Sequence, residues 1–221
     1  MSWESTAHYY ALLNRLVNER LGAHHSAKLL LYSIDFEELA QTQFANKWDE
    51  ASALMVEAAK RLERGGADFI LICANTMHIA AEAVAQSISI PLLHIADATG
   101  YSITARGFHR VGLLGTAFTM EQEFYKKRLF DKFGLDVMVP RPEHRTLLHE
   151  IIFEELVRGI VNPESKAKLR QVIADLTAAG AEGIILGCTE LMMIPEQADS
   201  AVPLFDTTAI HSEAAVECAL A

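Results

Sequence analysis

Hydrophobic and polar positions along the chain follow two rhythms. Short runs rich in leucine and β-branched residues, at 28–34, 69–73, 92–95, 111–114, 137–139, 183–186 and 202–205, read as buried strands. Between them, apolar residues recur at helical spacing. Trp48, Ala51, Met55, Ala58 and Leu62 fall on one helical face ahead of Gly65 and Gly66, and Asn162-Pro163 followed by acids opens a helix that stops at Gly180. Strands that alternate with helices predict parallel sheets covered by helices, an α/β class.

The pattern also repeats. Residues 66–76 (GADFILICANT) set without a gap against 180–190 (GAEGIILGCTE), an offset of 114, pair Gly66 with Gly180, Ala67 with Ala181, Asp68 with Glu182 and Ile70 with Ile184. Further on, Ile90-Pro91-Leu92-Leu93 matches Val202-Pro203-Leu204-Phe205 at an offset of 112, and Ala96-Asp97-Ala98-Thr99 faces Thr207-Thr208-Ala209-Ile210. The expected architecture is two pseudo-symmetric, doubly wound lobes with the active site in the cleft between them. Residues 1–97 form the first lobe, 98–206 the second, and 207–221 a C-terminal helix, part of which returns to the first lobe. The second lobe opens with a strand and glycine turn, Arg110 to Thr116, whose counterpart would lie ahead of Met1. A sheet short of that inner strand would carry unpaired backbone groups and an exposed apolar face.

Ligands of open parallel sheets sit beyond the carboxyl ends of strands, where each strand turns into a helix. Ala74-Asn75-Thr76 and Cys188-Thr189-Glu190 both fall there. Cys188 follows Leu186-Gly187 at the start of a helix-like turn, where a helix amino terminus would lower the thiol pKa. The plainer alternatives are a buried hydrophobic cysteine for Cys188 and helix caps for the Asn and Thr residues.

These residues carry a family resemblance. Gly187-Cys188-Thr189-Glu190 resembles the second catalytic motif of the cofactor-independent aspartate/glutamate racemases, and Asn75-Thr76-Met77-His78 resembles their first, Cys-Asn-Thr followed by His. Leu114-Gly115-Thr116, Ile152-Phe153-Glu154-Glu155-Leu156 and the segment from Met1 to Thr6 extend the likeness over the whole chain. The resemblance implies an isomerase in which two cysteines face opposite sides of an α-carbon, without pyridoxal phosphate or metal, on aspartate or glutamate. Cys188 would be the thiol acid/base. Asn75, Thr76, Thr116 and Thr189 would hold the carboxylate, with Met1, Gln43 and Glu190 lining the substrate. Ala74 stands where the family has its first cysteine, and the gapless repeat independently places it opposite Cys188. Cys73, one residue earlier, would point to the other face of the strand. His78 is a possible substitute base. A single-cysteine, decarboxylase-like reaction and a non-catalytic amino-acid binder are the alternatives.

Composition narrows the classes. Of 221 residues, 51% are hydrophobic and the net charge is −10, with no basic run, so nucleic acid is not an expected partner. No stretch approaches the roughly 18 apolar residues of a membrane span. Three widely spaced cysteines argue against a disulfide framework and for a cytoplasmic protein. Nine histidines show no metal-ligand spacing, so no metal is expected, and the resemblance implies no cofactor and a homodimer. Tyr9 and Tyr10 are candidate core aromatics, His24 and His25 candidate surface residues, and Arg158 a candidate partner for a side-chain carboxylate.

Overall fold

The computed structural model describes residues 1–221. They form two compact units, Met1–His94 with His211–Ala221, and Ile95–Ile210. The division falls at His94 rather than at 97 because Ile95 and Ala96 are fully buried in the second unit's core.

In the first unit, α1 (Trp3–Leu21) opens on Ser2, whose hydroxyl accepts the Ser5 N–H, and α2 (Phe36–Phe44) opens on Asp35, which accepts the Glu37 N–H. The predicted face of α3 (Trp48–Arg64) holds, with Ala51, Met55 and Ala58 buried. Two short parallel strands come next, β1 (Ile70–Leu71) and β2 (Leu92–Leu93), connected through a 3-10 turn, Thr76–Ala80, and α4 (Ala81–Ser87). Leu39, Met55, Ile72, Met77 and Val84 fill the core between them.

The strand expected at 28–34 is not there. The run carries no ladder, and Leu30 and Leu31 are 50% and 56% exposed. Apolar, β-branched composition makes a strand only where another strand offers its N–H and C=O groups, and the first unit's ladder contains β1 and β2 alone.

The second unit begins with α5 (Ile95–Thr104) and β3 (Arg110–Gly115), followed by α6 (Ala117–Glu121), α7 (Glu123–Phe133), β4 (Asp136–Met138) and α8 (Pro142–Glu150). The chain then winds into a π-helical turn, Ile151–Glu155, before α9 (Pro163–Ala178), β5 (Gly183–Gly187) and β6 (Leu204–Asp206). α10 (Thr207–Leu220) ends the chain. The four strands expected at 111–114, 137–139, 183–186 and 202–205 form one parallel sheet in the order β4-β3-β5-β6. β5 is buried throughout and β3 beyond Arg110, which explains their unbroken apolar sequences.

The repeat is visible atom by atom. α3 and α9 close with the same glycine motif: Gly66 and Gly180 adopt φ of +93° and +101°. The next N–H, of Ala67 or Ala181, returns to the carbonyl of Leu62 or Leu176 at 3.1 and 3.0 Å. Each strand then enters its ladder alike, with the N–H groups of Ile70 and Ile184 donating to Pro91 O and Pro203 O at 2.9 Å. Ile70 registers with Leu92 and Ile184 with Leu204. No helix is long and apolar enough to cross a membrane.

Candidate active site

The carboxyl ends of β3 and β5 meet at Gly115 and Gly187, which are register partners. A Cβ on Gly115 would lie 2.8 Å from Gly187 O, and one on Gly187 would lie 2.7 Å from Leu114 O. Only glycine allows this approach, so the next residues, Thr116 and Cys188, leave the sheet side by side.

Thr116 caps α6, its hydroxyl accepting the Thr119 N–H at 3.3 Å. The capping role considered for the site threonines therefore applies to Thr116. Beyond Gly187, Cys188-Thr189-Glu190 form a turn closed by Leu191 N–H donating to Cys188 O at 3.1 Å. All three side chains are buried. The Cys188 thiol donates to Glu190 Oε2 at 3.1 Å, and the Thr189 hydroxyl donates to the same oxygen at 2.7 Å.

This corrects the expectation of an acidified thiol. The turn beyond Cys188 leads into a 3-10 segment of three residues, Leu191–Met193, not a helix with a macrodipole. Burial first, and the Glu190 carboxylate second, hold the Cys188 pKa well above the ordinary thiol value. At rest Cys188 carries its proton.

The other motif lies in the first unit. Ala74 is buried with Ile72 and Met77, and its carbonyl accepts from His78 Nδ1 at 2.7 Å, fixing the ring proton on Nδ1. Asn75 precedes the 3-10 turn that starts at Thr76 and makes no side-chain cap there. Gln43 sits on α2 and is buried, its Nε2 against Met77 Sδ at 3.1 Å. Met1 packs against the same core. Cys73 is half-buried, and burial pushes its thiol up to about 11, so it offers no ready thiolate in place of the missing one.

Among the remaining candidates, Tyr9 is buried but Tyr10 is 53% exposed, because adjacent helical residues face different sides. His24 and His25 are exposed, as expected. Arg158 is exposed and paired with Glu154 at 3.1 Å, so its partner is a neighbour on the same turn. Sequence reasoning passed over His149, whose Nδ1 accepts the Ala117 N–H next to Thr116 at 3.2 Å. That contact joins residues 32 apart and leaves no local signature.

A buried thiol and a carboxylate thus lie together at the carboxyl edge of a parallel α/β sheet. The match to the Asp/Glu/hydantoin racemase model runs over residues 1–215, and the chain belongs to that family. It is similar to the broad-specificity amino-acid racemase RacX of Bacillus subtilis (strain 168), 28% identical over 176 residues, 78% of this chain and 74% of that protein. A crystal structure of a Yersinia pestis protein assigned as an Asp/Glu racemase is 46% identical, with a TM-score of 0.92, covering 100% of this chain and 96% of its own. An aspartate racemase homologue from Pyrococcus horikoshii OT3 is 37% identical, with a TM-score of 0.84 over 99% and 95%. The protein is an isomerase of the amino-acid racemase kind.

Proposed function

We propose that the chain acts on aspartate or glutamate by moving the α-proton through Cys188, without a cofactor, in the cytoplasm and as a homodimer. The observation that carries the reading is the buried Cys188–Glu190 pair beside Thr116 at the ends of β3 and β5. For abstraction, the thiol proton passes to Glu190 and the thiolate removes the α-proton. The C–H bonding pair then moves into an enediolate. For return, the S–H bond breaks and the α-carbon takes the proton. An α-proton is weakly acidic, so the developing oxyanion needs fixed donors. Asn75, Thr76, Thr116 and Thr189 supply them in this reading, and Gln43 and Met1 line the substrate. The free state of all three cysteines fits a reducing compartment.

Ala74 supports a second reading. A methyl side chain neither gives nor takes a proton, so a one-face reaction, in which Cys188 alone protonates a planar intermediate, results if nothing replaces the absent thiol. Proton NMR of the whole chain in D₂O, with separate L- and D-aspartate and glutamate, distinguishes the readings. Loss of the α-proton signal with growth of the other enantiomer, abolished in Cys188→Ala, is the racemase result. Exchange with retention is the one-face result. Absence of exchange with every substrate, accompanied by tight binding, would make the protein a binder.

A further inference from the structure

Thr116 is held by more than its own cap. The next residue, Ala117, donates its N–H to Nδ1 of His149, in the last turn of α8. The imidazole is gripped by two aromatic rings: Phe118 of α6 meets it edge-on at 5.4 Å and 87°, and Phe153 lies tilted against it at 4.7 Å. Phe153 belongs to the π-helical turn Ile151–Glu155, which starts two residues after His149. Wide turns of this kind re-aim side chains and recur at functional sites.

A ring nitrogen that accepts a backbone N–H must present a lone pair. The bond to Ala117 therefore exists only while His149 is neutral, with its proton on Nε2. We propose that His149 is a positioning residue for the Thr116 turn, and that the turn is set for substrate only when this imidazole is uncharged. The proposal rests on the reading of Thr116 as a carboxylate holder. Burial lowers the His149 pKa, while Glu121 of α6 and Glu150 of α8 raise it. Arg145 of α8 pairs with Glu121 at 2.9 Å and offsets part of that pull. Net lowering keeps the ring neutral at physiological pH.

Two kinds of measurement test it. In the pH profile of kcat/KM, the wild-type chain should lose activity as one proton binds on the acid side. His149→Asn puts an amide oxygen where Nδ1 was, so it should keep neutral-pH turnover within about fivefold and flatten the acid limb. His149→Phe fills the space without an acceptor and should raise KM at least tenfold at every pH, with a smaller change in kcat. Independently of turnover, amide and imidazole NMR of the whole chain should show the Ala117 N–H and the His149 ring titrating with one midpoint, below the usual imidazole value. An acid limb unchanged in His149→Asn, or an Ala117 signal that ignores the His149 titration, overturns the proposal. Failure of every amino-acid substrate would count against the racemase reading alone, because the NMR titration still decides the His149 bond.

Discussion

At Cys188 the usual order of activation is reversed. Reactive thiols are commonly acidified by a helix or a cation, whereas this one is buried and hydrogen-bonded to a carboxylate that holds its proton in place. In the proposed reaction it starts as an acid, and only transfer to Glu190 makes it a base. Glu190→Gln should therefore lower kcat for α-proton exchange about 10²-fold or more, with little change in KM. An equal loss in binding and turnover would assign Glu190 to substrate contact instead. At the matching position of the repeat, Ala74→Cys adds a thiol. It should raise inversion relative to exchange with retention, read in the same D₂O spectrum, and an unchanged ratio would argue that position 74 does not face the α-carbon. Sequence alone selected Cys188, Glu190 and Ala74 through the repeat. It misjudged the direction of the thiol's pKa, because that depends on how deeply three consecutive side chains are buried.

Among the elements, β3 and β5 owe their contact to glycine. Gly187→Ala would place a methyl 2.7 Å from Leu114 O, where backbone cannot yield as a flexible side chain can. The expected cost is about 1–3 kcal/mol in urea unfolding, with loss of activity exceeding what stability explains because Cys188 is the next residue. Gly66→Ala makes the contrast: its φ is +93° but nothing lies within 4 Å, so the penalty is backbone strain of about 1–2 kcal/mol with no steric clash. A Gly187→Ala variant no less stable than wild type would mean that the strand ends can separate. The four strands of the second unit were legible because each is an apolar run bounded by turns and paired on at least one side. The run at 28–34 has similar composition and no ladder. Propensity speaks of a residue's fit to a sheet, and pairing belongs to the neighbour.

At the scale of the whole molecule, Tyr9 near the start of the chain and His211 near its end are joined inside the first unit. The Tyr9 hydroxyl donates to His211 Nδ1 at 2.9 Å, and His211 Nε2–H donates to Leu93 O at 3.0 Å. Burial lowers the His211 pKa from 6.5 to about 4. The folded state therefore binds this proton less readily than the unfolded chain. The stability it contributes is complete above about pH 6.5 and is lost as pH falls toward 4, a total of about 3 kcal/mol. Urea midpoints measured across that range should drop in the wild type and drop less in His211→Gln. Parallel curves would show that His211 does not set this pH dependence. Tyr9→Phe strips the donor from a buried nitrogen and should cost about 1–3 kcal/mol at neutral pH.

Periodicity, punctuating glycines and the offset repeat determined the α/β class, the second unit's four strands and the matching turns that carry Ala74 and Cys188. These are local properties, set by spacing along the chain and by what a strand or helix must bury. Tertiary structure alone decided that 28–34 stays unpaired, that Cys188 rests as a thiol against Glu190, and that His149 reaches Ala117. Each of these depends on which distant backbone, charge or ring is brought alongside, and on how much water that packing removes.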